Sequence, residues 1–146
     1  MIDKPLLSQL AAEALTHGDK FSESFGFRAR PSLDGSFGSY STLKYFAMPK
    51  PLRTTVKKAV QDLDSNIETY FLKFEEGQKL PMTKSHDDCF FTCKSVLVHG
   101  EADVTYKSEV FNLTEGDELE IEPRYAHEIL PKGQCIFLVE LQIMEI

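Results

Sequence analysis

The sequence has few cysteines and no long apolar run. Its 146 residues include three cysteines, an odd number that cannot pair completely in disulfides. Asp3 and Glu13 interrupt the N-terminal segment, where a signal peptide would need an unbroken apolar stretch. We therefore predict a cytoplasmic protein with reduced thiols. No apolar run approaches the ~20 residues of a membrane-spanning helix, so we predict no such helix.

Positive charge is also scarce. The chain has 16 Lys and Arg residues against 23 Asp and Glu residues, which gives a formal net charge of −7. Binding to nucleic acid or to an anionic membrane surface depends on a concentration of positive charge. We therefore predict that neither nucleic acid nor a membrane is a partner.

The chain does contain enough apolar residues for one domain with a single core. Hydrophobic residues make up 42% and charged residues 27% of the sequence, as in ordinary globular proteins. We predict one structural domain with two parts. Residues 1–66 form an N-terminal helix and an extension that packs on a barrel, and residues 67–146 form the barrel itself.

The N-terminal part begins with a helical pattern. Pro5 suits the first turn of a helix and Gly18 can end it. Between them lies an apolar stripe with helical spacing, formed by Leu6, Leu7, Leu10, Ala11, Ala14 and Leu15. The stretch from Gly18 to Tyr40 is rich in Gly, Ser and Phe, and we predict an ordered loop or a short strand there. Residues 53–63 fit a helix as well as a strand.

The second part is a series of strand-like runs separated by turns. The runs are rich in β-branched and aromatic residues: "IETYFLKF", "CFFTCKSVLV", "ADVTYK", "EVFNL", "DELEIE" and "QCIFLVELQIMEI". Such spacing predicts an all-β, mainly antiparallel sandwich or barrel. The predicted core face of the last run comprises Cys135, Phe137, Val139, Leu141 and Ile143. Its other face is also apolar, and a second subunit often covers such a face, so we predict a homodimer.

One segment of this part carries a specific motif. In "GDELEIEPRYAHEI", Gly116 and Asp117 form a turn before a strand, Pro123 ends the strand, and His127 follows four residues later. This spacing resembles the second motif of the cupin family, a Gly-Asp turn followed by Pro-x-x-x-His. The resemblance implies a double-stranded β-helix, the jelly-roll barrel of cupins, with His127 directed into the barrel.

A second segment resembles the first cupin motif, with two changes. That motif has a His-x-His pair, then a Glu, then a Gly seven residues after the Glu. In "TKSHDDCFFTCKSVLVHG", counting back from Gly100 places Cys93 at the Glu position and His86 and Asp88 at the His positions. The resemblance therefore implies a metal site formed by His86, Asp88, Cys93 and His127.

The residue types suit a metal that activates oxygen. Two histidines and one carboxylate are the ligands of the facial Fe(II) site, and His86, His127 and Asp88 supply them. We predict a divalent metal, with Fe(II) favoured and Zn(II) or Mn(II) as alternatives. The predicted function is oxidative, dioxygenase-like chemistry or isomerisation of a small polar molecule. The alternative is a metal-free cupin that binds or senses a small molecule, or an epimerase-like enzyme with His127 as catalytic base.

Strand alternation bears on this site. Cys89, Phe91 and Cys93 share one face of a strand, whereas His86 and Asp88 have the opposite parity. The four ligands can converge only if a bulge or loop lies between the two sets. Both cysteines can also be buried core residues, and adjacent acids such as Asp87 and Asp88 are most often exposed to solvent.

Overall fold

The computed structural model describes residues 2–25, 32–36, 38–85 and 87–144. Within these ranges the chain forms two α-helices and ten β-strands. The helices are α1 (Lys4–Thr16) and α2 (Lys50–Ala59). The strands are β1 (Ser22–Phe25), β2 (Ser39–Lys44), β3 (Glu68–Phe74), β4 (Leu80–Thr83), β5 (Phe91–His99), β6 (Ala102–Tyr106), β7 (Glu109–Leu113), β8 (Glu118–Ile121), β9 (His127–Pro131) and β10 (Cys135–Ile143).

The described strands form two sheets. The larger has six strands in the order β1-β2-β3-β10-β5-β8, and the smaller has four in the order β4-β9-β6-β7. The strand pairs in both sheets are antiparallel. Side chains of both sheets meet in a shared core, for example Leu72 of β3 and Val104 of β6. The prediction of an all-β jelly-roll barrel with an N-terminal helix is confirmed.

Helix α1 lies where the sequence predicts a helix. The Asp3 carboxylate caps its first turn, because Oδ1 accepts a hydrogen bond of 2.9 Å from the backbone N–H of Leu6. At the other end the backbone N–H of His17 donates to the Glu13 carbonyl at 3.1 Å. The buried members of the apolar stripe are Leu7, Leu10 and Ala14.

Helix α2 resolves the ambiguous segment of the N-terminal part. Leu52, Thr55 and Val56 are buried, and their i, i+3, i+4 spacing places them on one face of a helix. The neighbouring β-branched residues favour a strand locally, so burial of this face selects the helix. No helix among the described residues is both long enough and apolar enough to cross a membrane.

Strand β10 separates the two cores of the domain. Cys135, Phe137 and Val139 point into the barrel, as the sequence predicts. On the other face, Ile136 and Leu138 are covered by the chain's own helices, in a core whose helical members are Leu7, Leu10, Ala14, Leu52 and Val56. The apolar outer face of β10 therefore has a cover within the chain, and the homodimer stays a prediction without this argument.

The N-terminal part takes part in the barrel directly. Strand β2 pairs with β3, so that Ser41 lies opposite Lys73 and Lys44 lies opposite Tyr70. Hydrogen bonds between strands thus cross the predicted boundary at residue 66. The extension supplies strands to the larger sheet as well as helices to its outer face.

Candidate functional site

A cavity of about 480 Å³ lies inside the barrel. Apolar side chains form much of its wall, including Leu72, Leu80, Ile121, Ile129, Val139 and Leu141. Hydrogen-bonding side chains that are neutral or can be neutral lie among them: Tyr40, Thr42, Tyr70, Thr83, Ser85, Cys89, Cys93, Ser95 and His127. Concave, mostly apolar sites with a few polar groups are typical binding sites for small molecules.

His127 occupies the position that the second motif predicts. It is the first residue of β9, where it pairs with Thr83 of β4 and Tyr106 of β6. The corner before it is closed by a 3.0 Å hydrogen bond from the Tyr125 N–H to the Glu122 carbonyl. This corner turns the imidazole into the cavity wall, where His127 is only 8% exposed.

One hydrogen bond sets the tautomer of His127. Its Nδ1 lies 2.8 Å from the Tyr125 carbonyl oxygen. A carbonyl oxygen can only accept, so Nδ1 carries the proton and donates it. In the neutral ring Nε2 is then the acceptor nitrogen. A histidine that acts as a metal ligand or as a catalytic base uses such an unprotonated nitrogen.

Cys93 also lines the cavity, but its thiol is protonated at neutral pH. It lies on β5 opposite Ile121 of β8 and Leu141 of β10. Burial, together with the neighbouring Cys89, raises the pKa of the Cys93 thiol from its ordinary value of 9.0 to about 12. A metal binds the thiolate form, and a coordinating metal ion itself removes the proton of the thiol. The predicted shared face of Cys89, Phe91 and Cys93 is seen, since all three border the cavity.

The structure does not bring Asp88 to the cavity. Asp88 lies in an exposed turn before β5 and is absent from the cavity wall. Its neighbour Asp87 is exposed as well and lies 3.6 Å from the Lys84 ammonium group. His86 lies outside the described residues. Of the three predicted ligands that the structure describes, the cavity unites two, Cys93 and His127.

The described donors do not fit a metal ion. Among the residues that the structure describes, no three His, Cys, Asp or Glu side chains are arranged to hold one. The metal site of four residues stays a prediction.

Tyr70 is a site residue that the sequence motifs do not indicate. It lies on β3 and lines the cavity, and burial raises the pKa of its hydroxyl well above the ordinary value of 10.0. The hydroxyl is therefore a permanent hydrogen-bond donor. Alternation in "ETYFLKF" places Tyr70 on the same face as Leu72 and Phe74, and this pattern could have identified it. Ser95 has the same parity as Cys93 on β5, so alternation could have identified it as well. Thr83 has no such pattern around it.

Ion pairs neutralise the cations at the cavity wall. The Lys44 Nζ lies 3.0 Å from Glu68, and both residues border the cavity. Lys84, which also borders it, pairs with Asp87. The described lysines of the wall therefore each face a carboxylate.

Known structures share this fold at low sequence identity. No protein-family model matches the chain, and no curated protein sequence matches it. A predicted oxalate decarboxylase from Thermotoga maritima superposes with a TM-score of 0.56 at 12% identity, over 86% of this chain and 96% of that one.

Two further structures give similar values. A cupin 2 conserved barrel domain protein from Rhodopseudomonas palustris has a TM-score of 0.54 at 14% identity, over 84% of this chain and 71% of that one. A transcriptional regulator of the HTH_3 family from Vibrio cholerae has a TM-score of 0.53 at 10% identity, over 73% of this chain and 52% of that one. Structural similarity at such low sequence identity establishes the fold, and a shared fold does not imply a shared activity. Together with the two-sheet barrel and its inward His127, these similarities show that the chain has the cupin fold.

Proposed function

We propose that the chain binds a small, uncharged molecule inside the barrel without needing a metal. The observation that carries this proposal is the chemistry of the cavity wall, in which Tyr70, Thr83, Ser95 and His127 are set among apolar side chains. A ligand with hydroxyl or carbonyl groups finds both donors and acceptors there. A charged ligand would be costly to bury without a counter-charge, and the described lysines of the wall are already paired.

His127 is the residue with the widest chemical range in this cavity. With the proton on Nδ1, its Nε2 can accept a hydrogen bond from a ligand hydroxyl. The same nitrogen can take up a proton from a substrate, as a general base does. Isomerisation by proton transfer is therefore the reaction that the cavity supports best, and His127 is its proposed base.

The oxalate decarboxylase name belongs to a neighbour of 12% identity, and its substrate does not suit this cavity. Oxalate carries two negative charges at neutral pH and needs cations to bind it. The two described lysines at the wall each pair with a carboxylate, at 3.0 Å for Lys44 and 3.6 Å for Lys84. We therefore do not extend that activity to this chain.

Matched neutral and anionic probes test the proposal. Phenol and benzoate have similar size but differ in charge, and binding of each can be followed by protein NMR shifts at neutral pH. We expect phenol to shift resonances of the cavity residues and benzoate to leave them unchanged. Equal or stronger binding of benzoate would contradict the neutral-ligand proposal.

Two variants locate the binding. His127→Ala should weaken phenol binding, whereas His99→Ala, the same change at a histidine outside the cavity wall, should not. Ser95→Phe should fill the cavity and abolish binding while the circular dichroism spectrum stays that of a folded β protein. An equal effect of His99→Ala would show that phenol binds elsewhere.

The metal-dependent alternative has its own experiment. It rests on the family spacing of His86, Asp88, Cys93 and His127, and the exposed position of Asp88 opposes it. Metal content is measured in anaerobically purified wild type, His127→Ala and His86→Ala. Stoichiometric metal that both variants lose would establish the metal site. A folded wild type that refuses added Fe(II), Zn(II) and Mn(II) would support the metal-free proposal.

A further inference from the structure

The charges of the chain are segregated along the sequence. Residues 35–61 contain five basic residues and no acidic one: Lys44, Lys50, Arg53, Lys57 and Lys58. The remaining eleven basic residues and all 23 acidic residues lie outside this segment. The net charge of −7 is therefore the sum of a positively charged segment and a negatively charged remainder. The prediction of no membrane partner uses only this sum.

Four of these cations lie on the helix α2, and Arg53 is half-buried with its Nε buried. The buried face of α2 packs through Leu52 and Val56, so the charged residues occupy the remaining surface. Lys50, Arg53 and Lys57 follow the i, i+3, i+7 spacing of one helix face, and Lys58 lies beside them. Lys50, Lys57 and Lys58 are exposed. Among the described residues no carboxylate pairs with any of the four.

A protruding aromatic ring lies just before this helix. Phe46, in the 3₁₀ turn Tyr45–Ala47, is 90% exposed. Its ring makes an edge-on contact with the Tyr45 ring, at 5.3 Å between centroids and 83° between planes. A phenyl ring offers water no hydrogen bond, so its exposure leaves apolar surface unburied.

We propose that Phe46 and the cations of α2 form a surface that binds anionic lipid bilayers. Basic residues near an anionic leaflet each add to the attraction, and an adjacent apolar side chain can enter the headgroup region. The surface is a convex helix face with a protruding ring. Proteins that bind single-stranded nucleic acid instead enclose the strand in a groove with several stacking aromatics. Lipid is therefore the better match.

A single tryptophan can report on this surface. The chain has no tryptophan, so Phe46→Trp places a unique fluorophore at the proposed contact. We expect its emission to shift to shorter wavelength with phosphatidylcholine vesicles that contain phosphatidylserine, and not with phosphatidylcholine alone. Added salt should reverse the shift. Val110→Trp, at a side chain that is 58% exposed on β7, should show no shift with either vesicle.

Charge variants test the role of α2. Lys57→Gln in the Phe46→Trp background should lower the vesicle partition coefficient about fivefold. Lys132→Gln makes the same charge change at an exposed turn before β10 and should leave the coefficient unchanged. Equal weakening by both variants would reduce the effect to net charge and overturn the proposal. So would the absence of a shift with phosphatidylserine vesicles in a folded protein, or a response to oligo-thymidine in place of vesicles.

Discussion

The two buried thiols of the barrel should make the protein unstable in alkali. Burial raises the pKa of Cys135 from 9.0 to about 12, and burial with a contribution from Cys89 does the same for Cys93. In the unfolded chain both thiols ionise near their ordinary pKa. Above that pH the unfolded state loses protons that the folded state retains, so the free energy of unfolding falls as the pH rises from 9.0 towards about 12.

The size of the effect follows from linkage. A thiol with this shift costs about 1.4 kcal/mol of stability between about pH 8 and about pH 10, so two thiols cost about 2.7 kcal/mol. The buried hydroxyl of Tyr70, whose pKa is also raised by burial, acts in the same direction at the upper end of this range. The full loss is a large part of the stability of a typical domain.

Urea unfolding followed by circular dichroism measures this loss directly. The wild type is compared with the double variant Cys93→Ala/Cys135→Ala at about pH 8 and about pH 10, and the readout is the difference between the two pH values. We expect the variant to lose about 2.7 kcal/mol less than the wild type over this interval. An equal loss in both proteins would refute the argument, because the thiols would then not be the titrating groups.

Three further predictions concern a tight glycine position, the packing of α2 and the cap of α1. Gly100 has φ +86° and an added Cβ would meet the Gln134 carbonyl, whereas Gly77 has φ +85° and open space around it. Gly100→Ala should therefore lower the free energy of unfolding by about 2 kcal/mol more than Gly77→Ala. Equal losses would exclude the contact. Leu52→Ala, at a fully buried position of α2, should cost about 3 kcal/mol in urea unfolding, and a loss below about 1 kcal/mol would mean that α2 is not part of the cooperative unit. Asp3→Ala should cost about 1 kcal/mol by removing the cap of α1, and Asp3→Asn should restore most of it.

Local patterns are reliable where one face of an element decides its structure. The apolar stripe of α1 predicts a helix, and the structure has one at Lys4–Thr16. Alternation in β10 predicts that Cys135, Phe137 and Val139 face the core, and they do. Residues 53–63 fit both a helix and a strand, because their β-branched residues favour a strand and their i, i+3, i+4 spacing favours a helix. Contact with the outer face of the larger sheet settled that competition in favour of α2.

The site is less predictable, because its residues come from distant strands. The second motif places His127 correctly, since a short corner fixes a side chain by local geometry. Tyr70 and Ser95 reach the same cavity from β3 and β5. Alternation gives the face of each strand on which they lie, but only the fold brings the two faces together. The outer face of β10 is a related case, because the residues that cover Ile136 and Leu138 come from helices far away in the chain. The homodimer stays a prediction.

Local patterns predict the fold class, the corner before His127 and the runs that form β3, β5, β6, β7, β8 and β10, because these depend on alternation and on residues a few positions apart. Strands β4 and β9 are not among the predicted runs. Tertiary structure alone decided which groups share the cavity and in what state. Burial raises the pKa of the Cys93 thiol, the turn before β5 leaves Asp88 exposed, and each lysine of the described wall lies beside a carboxylate. Desolvation and pairing depend on neighbours that folding brings together from separate strands, so no local pattern could report them.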